Sequence, residues 1–239
     1  MTGAWEQNLP TNEPIVTIAI PHKEICHVRF ALGLARLLKP AKTFFSISKG
    51  HPWDSTRNGH AQDALNNGST HVLFYDSDID PPADGLLKLL NHNLPVVGGL
   101  YYCRHRSDYI TPESLPVPLP ATSAMWLDNG QGAYNPIINW NPGQLVQCNV
   151  TGCGFVLIHT SVFRRLDKEL NRNGVYFKWT AGIKDTAYTE GLPGVSEDFF
   201  FFRMLAKLGI AVMVDTSVVC NHLSMACVVN SKGLDFSAI

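Results

Sequence analysis

The stretch that most constrains this chain is Thr70–Asp80, Thr-His-Val-Leu-Phe-Tyr-Asp-Ser-Asp-Ile-Asp, an apolar run that ends in three carboxylates at alternate positions. Val72, Leu73, Phe74 and Tyr75 suit a strand covered on both faces, and Pro81-Pro82 forbid its continuation. In open α/β sheets, ligands lie outside the carboxyl ends of the strands, so Asp76, Asp78 and Asp80 fall where chemistry is expected. Carboxylates this close repel unless a cation joins them. Hard divalent ions such as Mg²⁺ and Mn²⁺ prefer oxygen ligands and usually share them with substrate phosphates.

Other readings of the acids compete. An EF-hand loop starting at Asp76 needs Gly at its sixth position and Glu at its twelfth; Pro81 and Leu87 stand there, which excludes it. A haloacid-type phosphatase carries Asp-x-Asp on its first strand, whereas here two strands precede the motif. Acids that merely end a strand in solvent remain the bland alternative.

Around this strand the chain alternates. Ile15–Ile20 reads as a strand stopped by Pro21. Glu24–Lys39 reads as a helix with Val28, Ala31, Leu32, Ala35 and Leu38 on its apolar stripe. Thr43–Ser48 is a second strand, and Ser55–Asn67 a helix capped by Ser55 and ended at Gly68. Pro82–Asn91 and Leu94–Leu100 repeat the helix and strand, which argues for βαβ units in an α/β fold. Cys103–Gln147 interrupts the rhythm with Pro112, Pro116, Pro118, Pro120, Pro136 and Pro142, either a functional excursion or an edge hairpin with irregular loops. Gly152 and Gly154 then precede the strand Phe155–His159, where something approaches the backbone closely or a bulge forms. Thr180–Val195 is expected to be a flexible loop. Ser196 caps a helix to Leu208 that opens with Glu197 and Asp198, acids the helix dipole favours in any case. Ile210–Val214 is the last strand.

With 239 residues and 45% hydrophobic content, the chain can bury one large core, so 1–239 is read as a single domain. Lys+Arg 19 against Asp+Glu 20 leaves a net charge of −1, with no basic footprint for nucleic acid. The first twenty residues lack the apolar core of a secretory signal, and no run is long enough to span a bilayer. A soluble, cytoplasmic protein is expected. The six cysteines include no C-x-x-C pair and are expected to be free thiols; a zinc site from Cys220, His222 and Cys227 lacks the usual spacing.

These motifs share an order with a known family. The set comprises Ile20-Pro21 with Glu24, Arg57-Asn58 with Ala64, Phe74-Tyr75-Asp76-Ser77-Asp78, Val97-Gly98-Gly99, Gly152–Phe155, Glu197-Asp198 before an aromatic helix, and Val214-Asp215 leading to His222. In this arrangement, over about residues 15–222, the chain resembles the GT-A-fold nucleotide-sugar glycosyltransferases, particularly the family 2-like enzymes of bacteria, archaea and their viruses. It departs from many of them at Ser46-Ile47-Ser48, where no acid ends the second strand.

The resemblance implies a Rossmann-like, mainly parallel mixed sheet flanked by helices, with a nucleotide-binding half at about 14–102 and an acceptor half at about 103–239. It implies that Asp78 ligates Mn²⁺ or Mg²⁺, that Asp76 contacts the ribose or shares the metal, and that His222 is a further ligand. Pro21 and Glu24 would lie beside the base and ribose, Arg57, Gly152 and Gly154 near the nucleotide, and Asp198, with Glu197 second, would be the base of an inverting transfer. The partners would be a nucleotide-diphosphate sugar and an unidentified acceptor. A retaining outcome, a metal-dependent nucleotidyltransferase and a non-catalytic binding module are the alternatives.

Overall fold

The computed structural model describes residues 13–22, 26–50, 52–103, 122–131, 133–183, 194–223, 228–230 and 233–235. Its first unit is strand β1 (Val16–His22), helix α1 (Val28–Arg36) and strand β2 (Thr43–Lys49). Helix α2 (Trp53–Asn66), strand β3 (His71–Tyr75), the two-residue strand β4 (Ile79–Asp80), helix α3 (Gly85–Asn91) and strand β5 (Val96–Leu100) follow. The excursion contributes β6 (Met125–Asp128), β7 (Tyr134–Pro136) and β8 (Leu145–Cys148), then β9 (Val150–Thr151) and β10 (Phe155–His159). The chain continues through α4 (Ser161–Leu170), α5 (Glu197–Lys207), β11 (Val212–Val219), β12 (Asn221–Leu223), β13 (Val228–Asn230) and β14 (Gly233–Asp235).

Seven strands form the central sheet in the order β2-β1-β3-β10-β5-β11-β8. β1, β2, β3, β5 and β11 run one way, while β10 and β8 run against their neighbours. The mixed, mainly parallel α/β sheet expected from the alternation is therefore present. β3 and β10 are apolar nearly throughout because the sheet is covered on both faces. One core layer joins Phe74, Val156 and Ala61 to Phe200, Phe201 and Phe202 of α5; the other joins Tyr75, Leu157 and Leu86 to Phe30 of α1.

Several local expectations are corrected. Pro21 does not stop β1, which runs on to His22; β3 pairs with β1 only as far as Ala19, so beyond that point the missing proline N–H removes no ladder bond on that side. α1 starts at Val28, capped by the His27 side chain, and Glu24 lies outside the described residues. Its buried face is also not the expected one: Val28 and Leu32 are 67% and 59% exposed, while Phe30, Gly33 and Leu37 turn inward. The competing stripe wins because Phe30 packs edge-on against Tyr75, and a Cβ at Gly33 would stand 2.8 Å from an Asp80 oxygen. α2 begins at Trp53 after Pro52, so Ser55 lies within the helix and does not cap it. Within the excursion, 104–121 lie outside the described residues, but β8 closes one edge of the main sheet. Residues 184–193 of the expected flexible loop also lie outside them; its described ends are joined by the Thr180 N–H to the Val195 carbonyl at 2.9 Å.

Candidate active site

The carboxyl ends of β1 and β3, the amino ends of α2 and α5, and β12 converge on a cleft of about 470 Å³. The sheet delivers Asp76 and Asp78 there because β3 ends at Tyr75 and the chain turns through Asp76 before β4. A small second sheet brings the last contributor. β12 pairs antiparallel with β4, setting His222 opposite Ile79 and within reach of Asp78. His222 Nε2 lies 3.7 Å from Asp78 Oδ2, and His222 Nδ1 is 2.8 Å from the Tyr102 carbonyl. A carbonyl only accepts, so Nδ1 carries a proton, and in the neutral ring the Nε2 lone pair faces Asp78. A carbonyl fixing the far nitrogen in this way is the usual support of a metal-ligating histidine.

Arg57 sits at the centre of the acids with 3% of its surface exposed. Its two terminal nitrogens donate one to each oxygen of Asp76, at 3.1 and 3.0 Å. Its Nε lies 3.3 Å from Asp198 Oδ1 and 3.5 Å from Glu197 Oε1. Burial works against the guanidinium charge, but Asp76 and Asp198 outweigh it and hold its pKa above the ordinary value. Three carboxylates share this one cation. Burial therefore raises Asp76 to about 6 against the pull of Arg57, and burial with the neighbouring Asp198 raises Glu197 to about 7.

The two acids that open α5 differ in environment. Glu197 is buried, whereas Asp198 keeps 20% of its side chain exposed at the cleft and accepts the Cys153 N–H on Oδ2 at 3.1 Å. Gly152 and Gly154 flank that amide. Their lack of a side chain is required by Tyr101: a Cβ at Gly152 would lie 1.7 Å from the Tyr101 hydroxyl oxygen, and Gly154 N–H donates to that oxygen at 3.2 Å. The close approach expected at these glycines is thus made by a side chain of the protein, and Gly154 alone of the two lines the cleft.

Asp80, the third alternate acid, is withdrawn from the cleft. It is 3% exposed and tied to Arg29 and Arg36 of α1 and to Asn221 of β12. It is a structural clamp between those elements. Pro21 lines the cleft. Tyr101, Cys153, Trp53 and Trp179 are contributors that the sequence did not single out. Trp53 and Trp179 stand in loops and at a helix start with no spacing to mark them, and Tyr101 shows itself only through the glycines it excludes. At the end of β2, where no acid stands, Ser48 instead meets His60 Nε2 at 3.1 Å, and Ser46 meets its Nδ1 at 2.6 Å.

As a metal centre the donor set is partial. Asp78, in the turn before β4, and His222, on β12, approach each other, while both Asp76 oxygens are engaged by Arg57. Among the described residues no group of three or more His, Cys, Asp or Glu side chains is arranged around one ion. A hard divalent ion held by one or two protein groups and completed by phosphate oxygens and water fits this set. The zinc alternative does not: Cys220 is fully buried with its thiol toward the Val218 carbonyl, and Cys227 lies outside the described residues. The five described cysteines are free. Among the described residues no helix is long and apolar enough to cross a membrane.

No protein-family model and no curated protein matches the chain. Solved structures do. A197 from STIV superposes with a TM-score of 0.57 at 13% identity, covering 93% of each chain. GalNAc-T7, solved with UDP, GalNAc and Mn²⁺, superposes with a TM-score of 0.50 at 10% identity, covering 90% of this chain and 45% of that one. At such identities the likeness concerns the fold, which is of the GT-A type.

Proposed function

We propose that this chain is a metal-dependent glycosyltransferase that moves a sugar from a nucleotide-diphosphate donor to an acceptor, with inversion and with Asp198 as the base. The observation that carries this reading is the placement of Asp198, with a partly exposed side chain, on the same cleft as the Asp78–His222 pair in a GT-A-type fold. The neighbour GalNAc-T7 was solved with UDP and Mn²⁺, which supports a nucleotide donor and a divalent ion here.

In the proposed reaction Asp198 accepts the proton of the acceptor hydroxyl as that oxygen bonds to the anomeric carbon. The bond from that carbon to the diphosphate oxygen breaks, and its electron pair leaves on the diphosphate. Asp78 and His222 would hold the ion, with Asp76 beside them, and a bound divalent ion supplies Lewis-acid stabilisation of the leaving diphosphate. The Cys153 N–H orients Asp198 by holding one of its oxygens. Glu197 is the more deeply buried of the two acids, with 9% of its side chain exposed against 20% for Asp198, and is therefore the less accessible to an acceptor hydroxyl. Pro21, Trp53 and Trp179 wall the cleft where the nucleotide and acceptor would lie.

The test is a thermal-shift screen of nucleoside diphosphates with and without Mn²⁺, followed by release of nucleoside diphosphate from the matching sugar donors. A ligand that binds the folded state stabilises it by mass action, so a metal-dependent shift and donor turnover are expected. Nucleoside triphosphate turnover without sugar-nucleotide turnover would replace the reading with nucleotidyl transfer, and binding without turnover of either would leave a binding module.

A further inference from the structure

We infer that Arg57 is a positioning residue that fixes the base Asp198 against the donor-side acid Asp76. This rests on the assignment of Asp198 as base. The resemblance would set Arg57 beside the nucleotide; its actual contacts are with the protein's own carboxylates.

The geometry uses the whole guanidinium. One edge grips both oxygens of Asp76, at 3.1 and 3.0 Å, and the Nε edge faces Asp198 Oδ1 at 3.3 Å. The ring of Phe74 supports the group from β3, with the guanidinium carbon 5.6 Å from its centroid. Asp198 is thereby held at both oxygens, Oδ1 by the cation and Oδ2 by the Cys153 N–H at 3.1 Å. Contacts at both oxygens restrict rotation of the carboxylate, which lines the cleft. Asp198 Oδ1 and Arg57 Nε are both buried, and neither has a hydrogen-bond partner. Their 3.3 Å contact is an ion pair, with Glu197 Oε1 the second carboxylate near Nε at 3.5 Å. Lysine cannot reproduce it: an ammonium is a point charge and cannot grip Asp76 with two parallel bonds while presenting a third donor to α5.

The link joins two elements far apart in sequence, the turn after β3 and the start of α5. A residue acting in this way should matter to turnover through Asp198 and should matter little to how the donor binds.

The test is a double-mutant cycle with Arg57→Lys, which keeps the charge and is expected to fold, and Asp198→Asn. Sugar-nucleotide hydrolysis with Mn²⁺, in which water is the acceptor, supplies kcat and KM. Arg57→Lys should lower kcat by roughly 10-fold or more with donor KM within about threefold, and the double variant should be no slower than Asp198→Asn alone. A readout that does not depend on turnover accompanies it. In ¹⁵N-arginine NMR spectra of the unliganded protein, the Arg57 Nε–H should exchange slowly, and its resonance should move in Asp198→Asn. Additive losses in the double variant, or a raised donor KM with kcat intact, would overturn the inference. So would an Nε–H resonance that ignores Asp198→Asn. If the wild type turns over no sugar nucleotide while the resonance responds as expected, the glycosyltransferase reading fails and the Arg57–Asp198 link stands.

Discussion

Replacing Glu197 with Gln should stabilise the protein at alkaline pH and leave it unchanged at acid pH. Burial lifts the Glu197 carboxyl from 4.5 to about 7, with Asp198 adding to the rise and Arg57 opposing it. A carboxyl whose folded pKa lies above its unfolded value binds more protons in the folded state. Stability therefore falls as pH rises through the window between those values, about 4.5 to 7, and the penalty is complete only above it. Each pKa unit corresponds to about 1.4 kcal/mol, which sets a ceiling of about 3 kcal/mol. The side chain is only 9% exposed, so solvent screening removes little of it. Because Asp198 and Asp76 share the same cation, the penalty belongs to the cluster, and a net gain of about 1–3 kcal/mol at pH 8 is the expected magnitude. Gln keeps the shape of the protonated acid and carries no charge. Urea denaturation of both proteins from pH 4 to pH 9 measures the difference directly. Curves that coincide at pH 4, diverge progressively between about pH 4.5 and 7 and stay apart above that, with the variant more stable, are expected; parallel curves, or a variant weaker at pH 8, would refute the account of Glu197 as a carboxyl whose pKa is raised by burial.

The other predictions concern single contacts. Asp198→Asn should cost at most about 1 kcal/mol through the lost helix-dipole interaction, yet lower turnover by roughly 10²-fold or more with little change in donor affinity; retained turnover would move the base elsewhere. Asp78→Asn should fold normally and lose the Mn²⁺-dependent part of nucleotide stabilisation, as EDTA should in the wild type, so equal thermal shifts with and without metal would refute the ligand assignment. Asp80→Asn should destabilise by about 2–3 kcal/mol in urea, because it weakens a buried acceptor shared by Arg29 and Arg36, while leaving Mn²⁺-dependent nucleotide binding intact. Gly152→Ala should force the Tyr101 ring aside, since the new Cβ would stand 1.7 Å from its hydroxyl oxygen; Tyr101→Phe should partly restore stability in the double variant, and a fully stable Gly152→Ala protein would refute that packing.

What the sequence determined by itself was the sheet and the site's acids. The run from Val72 to Tyr75 is apolar on both faces, so it had to be an inner strand, and the alternating carboxylates after it had to emerge at that strand's end. The same logic placed Asp198 at the start of α5, since a helix start among aromatic residues is legible from composition. Tertiary structure decided the rest, because one-dimensional patterns do not say which face meets the core. In α1 the stripe from Val28 to Leu38 and the stripe through Phe30, Gly33 and Leu37 are both apolar, and only the packing on Tyr75 and Asp80 chose the second. Among Asp76, Asp78 and Asp80 the spacing is uniform, yet the partners are Arg57, His222 and the α1 arginines respectively. Those partners come from α2, β12 and α1, brought together by strand pairing and helix packing over separations that no local motif encodes.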